Sequence, residues 1–163
     1  MNFRIFIRFL IFISFIILLL ACDNWKQLMN SKLIDKAAQL MEINHMQTLG
    51  LLTDVNIKLL HEEEYACFTP LQVMAWNLDD MNISTSDAAV LSARDYFIRN
   101  NNAVKAAYAS FVYAHIYYAE ENMNKALYHF LQAEEWAEKV NYKIPYLNYS
   151  LIPYNIALIY SID

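Results

Sequence analysis

Apolar residues recur at helical spacing along almost the whole of this chain. Beyond a strongly apolar opening block, Leu33, Ile34, Ala37, Ala38, Leu40 and Met41 fall on one helical face, which Ser31 is placed to cap. Leu49, Leu52, Ile57, Leu59 and Leu60 mark a second periodic stretch, running into Glu62, Glu63 and Glu64. Three adjacent acids point in different directions around a helix, so they read as a solvated helix start and not as a metal site. From Tyr65 to Leu78 the apolar density predicts a helix buried on most sides. Pro70 within it either opens a fresh helix capped by Thr69 or kinks one longer helix. Polar residues Asp79 to Thr85 predict a loop, Thr85 or Ser86 caps a helix over Asp87 to Ile98, and Asn100, Asn101 and Asn102 end it.

The pattern is clearest in the second half. Ala103 to Ala119 predicts one helix, Glu120 to Asn124 a tight turn and Lys125 to Val140 a second helix, so the pair is expected to lie antiparallel as an αα-hairpin. A tyrosine-rich connector from Asn141 to Pro153 then leads to a helix starting at Tyr154.

Composition removes most alternatives. The single glycine, Gly50, leaves no supply of the backbone conformations that primed hairpin turns and phosphate-cradling loops demand. Phosphate-binding, dinucleotide-binding and nucleophile-elbow motifs are all missing from the sequence. The four histidines, His45, His61, His115 and His129, include no pair at the i,i+4 spacing of a helical metal site, although the hairpin could bring His115 and His129 face to face. No cofactor, metal or catalytic constellation is expected, and the chain reads as a binding protein and not as an enzyme. The formal net charge is −5, and no basic stripe offsets it, which argues against nucleic-acid binding by this chain.

The first 21 residues stand apart. Met1 to Arg8 carry two arginines and no acid, and Phe9 to Ala21 are apolar apart from Ser14, the layout of an export signal. The uninterrupted run falls short of the ~20 residues that span a bilayer, which leaves a retained transmembrane anchor as the second reading. The end of this segment, Leu19-Leu20-Ala21-Cys22, resembles the bacterial lipoprotein signal, with a small residue directly before a cysteine. That resemblance implies cleavage after residue 21, a lipid on Cys22, a lipid-anchored tether over residues 22–30 and a place in the cell envelope. Losing Arg4 and Arg8 would take the formal charge from −5 to −7. Cys67 would then have no disulfide partner and is expected to act as a small core residue.

Recurring packing residues organise the remainder. Tyr113-Ala114-x2-Tyr117 in one helix is followed by Ala126-x3-Phe130-x2-Ala133 in the next; Ala93-x3-Phe97 echoes the second signature upstream, and Ile156-Ala157-x2-Tyr160 the first downstream. Small residues let two helices approach, and the rings fill the space beside them. With these signatures, residues 31–163 resemble the tetratricopeptide-repeat lipoproteins of Gram-negative anaerobes, the clearest repeat being 103–140 and a half repeat 154–163. Ser110 stands at the repeat's tryptophan position, and the 43 residues from Ala114 to Ala157 exceed the ~34 of the standard repeat.

The resemblance implies an all-α fold, a superhelix of stacked hairpins with a concave groove for a protein or peptide partner. It implies that Tyr108, Phe111, His115 and Tyr118 line that groove and that Tyr154 continues it, with Leu151 and Leu158 alongside; packing of these same rings against neighbouring hairpins is the alternative. The function expected is a membrane-anchored binding scaffold at the cell envelope. The second expectation is a shortened relative of sensors or transcriptional regulators built on such repeats.

Overall fold

The computed structural model describes residues 13, 25–78, 87–144, 147–148 and 150–161, and every regular element among them is helical. Cys22 and the rest of the leader apart from Ile13, the 79–86 loop with its Thr85 or Ser86 cap, and the last two residues lie outside the described residues. Helix α1 covers residues 25–40. It is followed by α2 (His45–Thr53), a 3-10 turn (Ile57–Leu59), α3 (Glu62–Leu78), α4 (Asp87–Arg99), α5 (Ala103–Ala119), α6 (Met123–Glu138) and α7 (Leu151–Tyr160). From α2 to α7 each helix packs on the next, and α3 also touches α5. No helix among the described residues is long and apolar enough to cross a membrane.

Two turns of identical design fold α4, α5 and α6 back on one another. Asn101 and Glu121 each take a left-handed backbone, with φ of 53° and 59°. The next residue, Asn102 or Asn122, donates its amide to Phe97 O or Tyr117 O, both at 2.9 Å. The side chains of these same asparagines accept from the Lys105 and Lys125 amides. One asparagine therefore closes a helix with its backbone in a Schellman arrangement and opens the next with its side chain, which permits a very short connection without glycine.

The core follows the alternation of alanine and ring. Ala114 and Ala126 are fully buried where α5 meets α6, with Phe130 sealed beside them. Ala93 and Phe97 of α4 join Ala66 of α3 and Ala106 and Ala109 of α5 in a second cluster. The expected Ala-x3-Phe pairs thus occupy core positions in both α4 and α6.

Several boundaries differ from expectation. Residues 25–30, expected as tether, are already helical, and Asn30 is buried because its amide group bonds the backbone of Asn56 in both directions. Asn44 caps α2 by accepting from the Gln47 amide, so that helix starts four residues before the apolar period becomes visible at Leu49. Pro70 sits inside a single helix, and the Thr69 hydroxyl bonds Tyr65 O at 2.9 Å one turn below. Glu64 reaches back to the His61 amide at 3.0 Å, half of a capping box that explains the acidic start of α3. Helix α7 begins at Leu151 and not at Tyr154, since Pro153 falls in the first turn, where the helix has no acceptor for an N–H. Ala157 and Tyr160, expected as packing residues, are exposed because among the described residues no helix covers that side of α7.

Gly50 lies in α2, and a Cβ built there meets nothing within 4 Å. Gly50→Ala is expected to stabilise the fold by about 0.5–1 kcal/mol through helix propensity, measured as a raised urea midpoint at unchanged slope.

Candidate ligand groove

Among the depressions formed by the described residues, one of about 450 Å³ combines room for a side chain or short peptide segment with a mostly apolar lining, whereas neighbouring ones of about 370 and 330 Å³ are lined largely by charged and polar residues. Met74 of α3 and Tyr108 of α5 contribute to its floor, Met41, Glu42, Ile43 and His45 at the corner between α1 and α2 form one wall, and Leu147, Asn148 and Leu151 at the entry to α7 form the other. Ile43, 79% exposed, and Leu151 present apolar side chains at the rim. Glu42 is the acid of this lining. Burial first, and then the charge of Glu42, hold the Tyr108 hydroxyl above its ordinary pKa, so it stays protonated and can donate a hydrogen bond. Tyr108 also lines a smaller cavity of about 50 Å³ bounded by Ile34, Cys67 and Lys105, and so separates the two.

The expected groove residues divide. Tyr108 reaches the depression, although its ring is almost wholly buried. Leu151 lines it, and Tyr154, one turn further along α7, is 62% exposed. Phe111 does not line a groove: it is fully buried against Phe130, ring centres 5.7 Å apart, and is a core residue. His115 packs edge-on to Phe111 at 4.5 Å and to Phe130 at 5.2 Å, and half-buried Tyr118 lies 6.4 Å from its ring. Neither His115 nor Tyr118 lines the depression. Burial pushes the pKa of His115 down to about 4, so the ring is neutral in the folded protein.

His129 does not meet His115, because the two rings belong to separate aromatic sets. It stacks on Tyr117 at 5.5 Å and 15° and meets Tyr113 edge-on at 4.6 Å. Its Nδ1 lies 2.9 Å from Gln132 Oε1 and 3.3 Å from Arg94 Nη1. Burial lowers its pKa, opposed by the Gln132 bond and reinforced by the charges of Arg94 and Lys125. Arg94 is itself paired with Asp95 at 2.9 Å, and the Tyr113 and Tyr117 hydroxyls share a 3.0 Å bond, so this cluster ties α4, α5 and α6 together with its polar groups matched internally. Among the described residues no group of His, Cys, Asp and Glu is placed to hold a metal. Burial raises the pKa of Cys67 against the pull of Lys105, which keeps the thiol protonated and poorly nucleophilic.

Reasoning from the sequence missed Met41, Glu42, Ile43, His45, Met74, Leu147 and Asn148. The Asn44 cap was the available signal, since it places a corner between two helices at residues 41–44. No family model, no curated protein and no solved structure matches this chain.

Proposed function

We propose that this chain is a helical-repeat scaffold of the tetratricopeptide kind, held at the cell envelope by a lipid on Cys22 after removal of residues 1–21, that grips a protein or peptide in the depression across α3, α5 and α7. The observation that carries this reading is the make-up of that depression. Met74, Tyr108 and Leu151 come from every second helix of the array, the arrangement by which stacked hairpins line one shared face. The surface is apolar with a few polar groups to fix orientation, as peptide sites are. The full burial of Ala114 and Ala126 and the paired short turns support the hairpin unit itself.

Peptides selected from a random display library on the full chain in detergent micelles provide the test. Ile43→Glu and Leu151→Glu each remove one apolar rim contact and are expected to weaken the selected peptides roughly 10- to 100-fold, the equivalent of one buried aliphatic side chain. Leu131→Glu on α6, equally exposed but away from the depression, should leave binding unchanged. Selected peptides that bind the two rim variants as tightly as the parent protein would sink this assignment.

A further inference from the structure

The first turn of α1 is apolar on the side that faces away from the protein. Trp25, Leu28 and Met29 are 64%, 49% and 48% exposed, whereas Asn30, Ile34, Ala37 and Ala38 on the opposite side are buried. At 3.6 residues per turn, Trp25, Leu28 and Met29 share their face with exposed Lys32 and Lys36. The face therefore changes from apolar to basic along the helix axis, with Lys32 about 10 Å beyond Trp25 at the helical rise.

A second element extends the patch. The paired hydrogen bonds between Asn30 and Asn56, at 3.1 and 3.0 Å, fix the adjoining 3-10 turn beside the start of α1, and this turn presents exposed Ile57 and Lys58. With Lys26, four lysines stand here; the acids near them are Asp35 and Asp54, with Glu63 and Glu64 across the depression that Ser31 and Asp35 of α1 share with the start of α3. Contiguous exposed hydrophobes of this size mark an interaction surface. The sequence points to what covers it: Trp25 follows Cys22 by three residues and the apolar run Phe9–Ala21 by four, so α1 starts next to the membrane-attached end of the chain whether the lipid on Cys22 or the retained run anchors it.

We propose that the start of α1 and the adjoining 3-10 turn rest on an anionic bilayer surface, with Trp25, Leu28 and Met29 in the interfacial layer and the lysines on lipid phosphates. Tryptophan partitions to that layer, lysine stems lie along apolar surface while their ammonium groups reach the headgroups, and anionic lipid adds attraction for each lysine. This goes beyond the peptide groove and rests on the anchored part of the reading above.

The full chain, reconstituted into vesicles of phosphatidylcholine alone or mixed with phosphatidylglycerol, tests it. Trp76→Phe with Trp136→Phe leaves Trp25 as the single fluorescent reporter. Brominated lipid is expected to quench Trp25, aqueous acrylamide to reach it poorly, and both effects to grow with phosphatidylglycerol. Lys32→Gln and Lys36→Gln should each lower the lipid-quenched population ~5-fold, with circular dichroism unchanged. Protein that stays with the vesicles while Trp25 remains open to acrylamide and unquenched by bromine overturns the surface contact and leaves the anchor standing. Protein that separates from the vesicles overturns the anchor and this contact together. Shielding from acrylamide without bromine quenching assigns the patch to a second copy of the chain and overturns the lipid contact.

Discussion

Phe130→Ala is expected to cost about 3–5 kcal/mol, a large share of the ~5–15 kcal/mol that holds a domain of this size together. The ring is fully buried, lies 5.7 Å from the Phe111 centroid and meets His115 almost perpendicularly at 5.2 Å, so truncation removes its own apolar burial and strips partners from two other rings. The Ala114 and Ala126 methyl groups are too small to fill the void. Phe130→Leu keeps most of the volume and should cost about 1–1.5 kcal/mol. Leu131→Ala, one position along the same helix and exposed, removes a surface contact and should fall within ~0.5 kcal/mol of the parent. Urea unfolding of the three variants measures the contrast. A cost under ~1 kcal/mol for Phe130→Ala would mean that the space between α5 and α6 closes up without the ring, and that the alanine-and-ring packing is not what joins them.

That packing was the part of the fold most legible in the sequence, and for a physical reason. A small residue three or four positions from an aromatic one on a helix specifies both a close approach and the filler beside it, so Ala93 with Phe97 and Ala126 with Phe130 could be placed from spacing alone. Helix ends were less legible where they depended on caps. The amide of Asn122 closes α5 while its side chain opens α6. The apolar period of α6 becomes visible only after that cap, and so the predicted start fell at Lys125.

Phe111 was misplaced because α5 has no polar side to set against an apolar one. Residues Ala106 through Ala114 and Ile116 are all buried, and a helix covered on every side carries no periodic signal to tell a groove face from a core face. Position along the array decides instead. Tyr108 lies where α5 passes the corner between α1 and α2, whereas Phe111 and His115, one and two turns on, meet Phe130 of α6. The wall formed by Met41, Glu42, Ile43 and His45 was out of reach for a related reason, since a corner between two helices lines a depression only through what the tertiary fold sets opposite it, here Leu147 and Leu151.

Acid is expected to destabilise this protein well above the pH at which carboxylates titrate, and His115 is the principal cause. Its folded pKa of about 4 lies below the ordinary 6.5, because burial among Phe111, Phe130 and Tyr118 penalises the charged ring. The neutral ring is the form the fold accepts, so the contribution is complete above pH 6.5 and is lost as the unfolded chain gains a proton that the folded one refuses. The loss amounts to about 2 kcal/mol by pH 5 and about 3 kcal/mol by pH 4, upper values because the residue keeps some solvent contact. His129 is shifted in the same direction by burial and by Arg94 and Lys125, against its Gln132 bond, and adds a smaller decline of the same sign. His115→Leu keeps an apolar side chain at the site and removes the proton. Urea midpoints taken from pH 7.5 down to 5 should fall steeply for the parent chain and only shallowly for His115→Leu, with the remaining slope removed by adding His129→Gln. Parallel declines for the parent and His115→Leu would place the acid-sensitive group elsewhere and would show that His115 is hydrated enough to titrate near its usual value.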